Sequence, residues 1–216
     1  MKISKGIEEQ GGIPVGNYYD KYNTQNPIAR KMMSNFDHHL SQLVDMVTPK
    51  SIHEIGCGEG VWALKWHQQG IRVKGSDFSQ QVIQLARDNA QAHNLEDILF
   101  EQKSVYDVAR KTDSADLVVC CEVLEHLEHP EQALATLQDL DTDYYIFSVP
   151  REPLWCALNM ARGKYLNSWG GNTPGHIQHW SKNAFLTLLK QHFEILEVRS
   201  PIPWTMVLCQ RVNHET

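Results

Sequence analysis

From Pro27 to about Val47 the apolar residues Ile28, Met32, Met33, Phe36, Leu40, Leu43, Val44 and Val47 return at steps of three and four, which predicts an amphipathic helix. Asn26-Pro27 starts it and Pro49 ends it. Ahead of this helix the first 25 or so residues are rich in Gly and Asn, carry Tyr18, Tyr19 and Tyr22, and read as an irregular arm. Behind it the pattern changes to short β-prone runs alternating with helical stretches. S-I-H-E-I is followed by V-W-A-L-K-W-H-Q-Q, I-R-V-K-G-S by Q-Q-V-I-Q-L-A-R-D-N-A-Q-A-H, and D-I-L-F-E by a short turn. D-L-V-V-C-C is then followed by P-E-Q-A-L-A-T-L, and Y-Y-I-F-S-V comes next. Such alternation predicts an α/β fold on a largely parallel sheet with helices on both faces. The last two runs, F-E-I-L-E-V-R and T-M-V-L-C-Q-R-V, are separated only by S-P-I-P-W. That link is too short for a crossover helix, so the two strands are expected to pair antiparallel as a terminal hairpin.

Composition changes this picture little. The 216 residues suit one large domain, with 42% hydrophobic and 21% charged residues, ordinary values for a globular protein. A formal net charge of −6 without a long Lys/Arg run lacks the electrostatic footprint of a nucleic-acid binder and favours work on small molecules. Five cysteines, an odd number with no C-x-x-C spacing, argue against a disulfide framework or a zinc site and suit a reducing cytosol. With no apolar signal segment and no run of about 18 apolar residues, the expected location is cytoplasmic, with no membrane partner.

Chemistry enters at residues 52–60, I-H-E-I-G-C-G-E-G, three glycines directly after a strand. A dinucleotide fingerprint would be G-x-G-x-x-G, but the slot three residues beyond Gly58 is Val61, and an acid, Glu54, lies inside the strand. Ligands of an open parallel sheet bind beyond the carboxyl ends of its strands. The next strand ends at Asp77, 21 residues after Gly56, the separation expected of a carboxylate accepting ribose hydroxyls. G-S-D-F-S-Q would equally well cap a helix from about Gln80.

The ordered set E-I-G-C-G-E-G, S-D-F-S and V-V-C-C-E-V-L-E-H-L resembles the class I S-adenosylmethionine-dependent methyltransferases. By motif the resemblance spans roughly residues 50–150, and by element order the whole chain. It implies a Rossmann-like, seven-stranded, mostly parallel sheet with a terminal antiparallel hairpin. It also implies that Glu54, Gly56 and Gly58 surround the methionine and ribose of S-adenosylmethionine, that Asp77 holds the ribose hydroxyls, and that Phe78 flanks the adenine. Ser104 stands where many members carry an Asp for the adenine amino group, so adenine contact would rest more on the Val105 backbone. The backbone near Cys121 would touch the methionine part, and Tyr19 or Tyr22 could close over it.

Methyl transfer is an in-line displacement that needs alignment and a deprotonated nucleophile. Glu122, Glu125 and His126 lie just after the fourth strand, where the two acids, three apart at the start of a helical turn, project to one side with the histidine beside them. Three readings stand together: a histidine base at His126, a divalent metal such as Mg2+, and plain packing. The E-x-x-E-H pattern is similar to that of ubiquinone-biosynthesis O-methyltransferases and small-RNA 2′-O-methyltransferases, where it resembles a metal site completed by a distant histidine. His176 and His179 in G-G-N-T-P-G-H-I-Q-H-W-S-K are the candidates, with His176 preferred as the fourth ligand. Between them and the fifth strand, Trp155, Met160, Tyr165 and Trp169 suit a lid. Core packing is the expected fate of Trp155 and Met160, and Trp169, with His179, is expected to meet substrate.

The chain is therefore read as one domain. Residues 1–49 form the arm and covering helix, 50–150 the cofactor core, 151–180 the substrate lid, and 181–216 the last helix and hairpin. The expected activity is methyl transfer from S-adenosylmethionine to a small organic acceptor, most naturally a hydroxyl oxygen. The rivals are an idle S-adenosylmethionine-binding protein and an RNA 2′-O-methyltransferase, the latter weakened by the acidic balance.

Overall fold

The computed structural model describes residues 2, 3, 8, 9, 13, 14, 24–95, 98–161, 173 and 175–212. Ahead of the long helix, Glu8–Glu9 (β1) and Ile13–Pro14 (β2) form a two-residue antiparallel pair, where the sequence led us to expect irregular chain. A ladder this short carries no alternation to read. Helix α1 covers Pro27–Val47, as its periodicity predicts. The Asn26 side chain accepts from the N–H groups of Ile28 at 2.9 Å and Ala29 at 3.2 Å, satisfying two donors that lack helical partners. The helix stops at Thr48 rather than at the proline itself. Thr48 takes a left-handed conformation, φ 49°, with its N–H on the Val44 carbonyl.

The remaining elements follow in the expected alternation. They are β3 (Ser51–Ile55), α2 (Val61–Gln68), β4 (Arg72–Asp77), α3 (Gln80–Ala92), β5 (Leu99–Gln102), α4 (Arg110–Asp113) and β6 (Leu117–Cys121). Then come α5 (Pro130–Gln138), β7 (Tyr144–Pro150), α6 (Leu154–Ala161), α7 (Lys182–Leu189), β8 (Phe193–Arg199) and β9 (Trp204–Arg211). Seven strands form one sheet in the order β5-β4-β3-β6-β7-β9-β8. Strands β3 to β7 run parallel, and β9 is antiparallel to both β7 and β8. The short link after Arg199 forces the reversal, and β9 closes the gap between β7 and β8.

Strands β3 and β6 are buried at every position; β6 accordingly reads as a continuous apolar run, L-V-V-C-C, while β3, S-I-H-E-I, buries polar side chains as well. One face of the sheet packs Phe36, Leu40 and Leu43 of α1 with Trp62, Trp66, Ile83 and Met206. The other packs Leu134, Leu137, Phe185 and Leu189 with Tyr145, Phe147 and Phe193. Each such side chain contributes about 1.5–3 kcal/mol by leaving water.

Two polar residues interrupt β3, and because strand side chains alternate they face opposite sides. His53 Nδ1–H donates to the Asp113 carbonyl at 2.8 Å, and its Nε2 accepts from the Ser76 hydroxyl at 2.9 Å. Burial pushes this imidazole down to about 4, so it is neutral. Glu54 points toward the glycine loop. The order of the sheet reverses at β3, since the chain builds outward through β4 and β5 and then returns to lay down β6 on β3's other side. The crevice of such a sheet opens at the carboxyl ends of these strands.

No helix among the described residues is long and apolar enough to cross a membrane. All five cysteines are unpaired thiols.

Candidate active site

The glycine loop is fixed from two sides. The N–H groups of Gly56 and Cys57 both donate to the Ser76 carbonyl, at 2.7 and 3.0 Å, tying the turn to β4. Gly56 has φ +71°, and a Cβ there would lie 2.2 Å from Val123 Cγ2, so the turn packs directly on the segment after β6. Among the described residues, a Cβ on Gly58 would meet nothing within 4 Å. The loop therefore presents open space at Gly58 and close packing at Gly56, which is the division needed if a ligand lies against its backbone.

Two acids line this loop. Glu54 is buried, and its carboxylate accepts from the Ala63 N–H at 2.9 Å in the first turn of α2. Burial pushes its carboxyl well above the usual range, and the Asp77 charge adds to that, against the opposing pull of the Ala63 N–H. Asp77 ends β4. Its two oxygens accept from the N–H groups of Gly58 at 3.1 Å and Ser79 at 3.0 Å. These two N–H groups hold the carboxylate at the end of β4 against the glycine loop. Helix capping falls instead to Ser79, whose hydroxyl accepts from the Val82 N–H at 3.3 Å.

The other expected cofactor residues stand along the same edge. Phe78 is 47% exposed beside Asp77, an aromatic face left in the open as contact with a flat base requires. Ser104 begins the turn Val105–Asp107 after β5, and its hydroxyl accepts from the Tyr106 N–H at 3.3 Å. Val105 points its side chain into the core, leaving its backbone at the edge. Cys121 is the last residue of β6, buried, its thiol held well above the ordinary range by burial. The residues present are compatible in kind with S-adenosylmethionine: a glycine backbone at Gly58, a carboxylate at the β4 end in Asp77 and an exposed aromatic face at Phe78. Tyr19 and Tyr22 lie outside the described residues.

Beyond β6 the E-x-x-E-H segment divides. Glu122 is not helical: it has φ +59°, and the tight turn begins only at Leu124. Its Oε1 accepts from the Ser148 hydroxyl at 2.9 Å and its Oε2 from the Trp204 indole N–H at 2.6 Å. The expected pairing of Glu122 with Glu125 on one side of a helical turn does not form. Instead one ligand atom each from Glu125, His126 and His176 come within 4.8 Å of one another.

His176 reaches this set because its loop docks on the turn. The N–H groups of Ile177 and Gln178 both donate to the Glu125 carbonyl, at 2.9 and 3.0 Å. The His126 and His176 rings meet edge to face with centroids 4.8 Å apart, and Trp155 stacks on His176 at 6.0 Å. His126 Nδ1 lies 2.9 Å from the Gly175 carbonyl, which can only accept. That nitrogen therefore carries the proton, and Nε2 is the basic one.

Comparison with known proteins bears on the fold and the reaction class. Residues 52–140 match the methyltransferase-domain family. A ubiquinone biosynthesis O-methyltransferase of Pasteurella multocida (strain Pm70) is 25% identical over 172 residues, covering 70% of this chain and 71% of that one. One of the same name from Cupriavidus pinatubonensis is 36% identical over 157 residues, covering 65% and 61%. The fold is shared with magnesium protoporphyrin IX methyltransferase from Synechocystis PCC 6803 bound to SAH. There the TM-score is 0.67 at 19% identity, over 90% of this chain and 91% of that one. Residues 52–140 carry a methyltransferase domain, and the chain is an S-adenosylmethionine-dependent methyltransferase.

Several features of this methyltransferase escaped sequence reasoning. Ser148 and Trp204, which hold Glu122, come from β7 and β9 and have no local signal. Met160, expected in the core, is 46% exposed on α6, whereas Trp155 is half-buried against the first core. The H-W-S segment is partly structural, as Ser181 caps α7 through the Ala184 N–H at 3.2 Å and Trp180 packs on Phe185. His179 pairs with Glu152 rather than joining the Glu125 set. Tyr165 and Trp169 lie outside the described residues.

Proposed function

We propose that this methyltransferase methylates a hydroxyl oxygen of a small organic acceptor, with His126 removing the hydroxyl proton. The observation that carries the proposal is the convergence of Glu125, His126 and His176 just beyond β6, the strand whose end sits next to the glycine loop. Bound S-adenosylmethionine supplies an electrophilic methyl group. Everything else the reaction needs is alignment of the oxygen and loss of its proton. The Gly175 carbonyl fixes the His126 tautomer, so Nε2 accepts the proton and the carbonyl stabilises the imidazolium that results. Glu125 and His176 orient the ring and the acceptor. The two relatives named above act, by their names, as O-methyltransferases, which supports an oxygen acceptor.

A second reading rests on the same three residues, with a divalent ion lowering the hydroxyl pKa. Mg2+ suits this set poorly, since it takes oxygen ligands and two of the three donors here are imidazole nitrogens, while Glu122 is bound elsewhere. One carboxylate with two imidazoles is the donor set of Mn2+, Fe2+ or Zn2+.

The test is initial-rate methyl transfer to a panel of phenols, catechols and matched amines. It is run on the wild type and on His126→Asn, with chelator and with added Mn2+. Turnover of hydroxyl acceptors that falls about 10²–10⁴-fold in the variant supports the base. Turnover abolished by chelator and restored by Mn2+ selects the metal reading. Turnover of amines alone, untouched by His126→Asn, overturns both.

A further inference from the structure

A second cluster of ligand-type side chains stands where α6 begins. Glu152, Cys156 and His179 each bring one ligand atom within 4.8 Å of the others. The carboxylate is already oriented. Cys156 donates its thiol hydrogen to Glu152 Oε1 at 3.2 Å and its N–H to Oε2 at 3.2 Å, and His179 Nδ1 lies 3.5 Å from the same Oε1. The two chain segments are also joined by backbone, since the Glu152 N–H donates to the Trp180 carbonyl at 2.9 Å. The third donor is thus held in place by the residue next to it, which distinguishes the cluster from long surface side chains that meet in passing. Glu152 and Cys156 are only partly exposed.

We propose that Glu152, Cys156 and His179 form a binding site for a zinc-type divalent cation, distinct from the Glu125, His126 and His176 set. Thiolate, imidazole and carboxylate together are the donors that a borderline-soft ion takes in tetrahedral geometry, with water in the fourth position. Hard ions such as Mg2+ and Ca2+ do not use sulfur. Without metal the thiol hydrogen of Cys156 is held by Glu152 Oε1. Each ion bound therefore forms one metal–sulfur bond and releases one proton to solvent.

The site has a consequence for the pocket. His179 belongs to the loop that carries His176, and that loop is already fastened to the Glu125 carbonyl by Ile177 and Gln178. An ion at Glu152 and Cys156 fastens the same loop from the α6 side. Trp155, between these two anchor residues in sequence, stacks on His176. Metal binding at the second site then fixes the position of a ring in the first.

The experiment is a Co2+ titration of the full chain under a non-thiol reductant, read by absorbance. Wild type is expected to develop a near-ultraviolet thiolate-to-cobalt charge-transfer band that saturates at equimolar metal and is displaced by Zn2+. Cys57, Cys120, Cys121 and Cys209 are buried, so the band reports Cys156. Cys156→Ser is expected to abolish it, His179→Ala to weaken the affinity about tenfold or more, and Glu125→Gln to leave it in place. The last result separates this site from the one under Proposed function, because a metal there gives no sulfur band. Absence of the band in wild type, or its survival in Cys156→Ser, overturns the proposal. If Cys156→Ser does not fold by circular dichroism, His179→Ala decides: an unchanged affinity overturns the site.

Discussion

His53 makes a quantitative claim about stability. Its ring is 1% exposed and titrates at about 4 in the folded chain, against 6.5 when free. Because the unfolded chain binds this proton first, the contribution is fully present above pH 6.5 and is lost as pH falls from there toward 4. At about 1.36 kcal/mol per pKa unit the whole effect is on the order of 3 kcal/mol, of which about 2 kcal/mol is gone by pH 5. The assay is urea unfolding of wild type and His53→Gln at pH 8, 6.5 and 5. At pH 8 the variant is expected to lie about 1–2 kcal/mol below wild type, having lost the ring and its two hydrogen bonds. By pH 5 that gap is expected to close by about 2 kcal/mol, since glutamine has no proton to take up. Glu54 works in the opposite direction, because its raised carboxyl favours the folded chain as pH falls, but it is common to both proteins and cancels in the difference. Asp113 does not enter this window. Burial alone would raise its carboxyl, but hydrogen bonds led by Lys74 hold it far below the usual range, so its contribution is lost only below pH 4. A gap that stays constant from pH 8 to pH 5 would refute the reasoning.

Three further outcomes follow from the same geometry. Asp77→Asn keeps the shape of the β4 end but removes the charge, and should weaken S-adenosylhomocysteine binding about 10- to 100-fold by calorimetric titration; an unchanged Kd would place the ribose elsewhere. Gly56→Ala puts a methyl 2.2 Å from Val123 Cγ2 at a φ of +71°, so stability should fall by about 1–3 kcal/mol in urea. Adding Val123→Ala should recover the steric part and leave the backbone part, which a double-mutant cycle measures. Thr48→Gly relieves a branched residue at φ 49° and should raise stability by about 0.5–1 kcal/mol; a loss would mean the threonine side chain supports the turn.

The parts of this fold set by local pattern were legible. The 3.6-residue period of α1 gave both of its ends to within a residue, and a link of a few residues was enough to foresee the antiparallel closing strand. The strand-end acids Glu54 and Asp77 were legible because a parallel sheet brings the ends of successive strands to one edge whatever lies between them. What could not be read was which distant side chain meets which. Trp204 reaches Glu122 across 82 residues, and nothing in the local pattern of either marks the other. The Glu152 and Cys156 pair did leave a signal, an acid and a thiol four apart where a helix starts, but His179 completes the set only through the backbone contact at Trp180.

Glu122 shows why a motif is not yet a site. Read as a helix, E-x-x-E-H places both acids on one side, since residues three apart share a face. That inference needs the helical turn to include Glu122, and the turn starts two residues later. Glu122 instead adopts a left-handed conformation, which costs a non-glycine residue about 1–3 kcal/mol unless its surroundings impose it. Here they do, through Ser148 and Trp204, and the indole N–H can only donate. The two roles make opposite predictions. If Glu122 is framework, Glu122→Gln keeps an acceptor for Trp204 and turns its amide to Ser148, costing about 1 kcal/mol, while Glu122→Ala strands the buried indole donor and costs about 3 kcal/mol. If Glu122 is a metal ligand, Glu122→Gln should instead weaken Mn2+ binding as much as Glu125→Gln does. Measuring both stability and Mn2+ affinity in these variants decides between them. The contacts with Ser148 and Trp204 favour the framework role, so the expected result is a Glu122→Gln protein about 1 kcal/mol less stable than wild type whose Mn2+ and acceptor binding are unchanged.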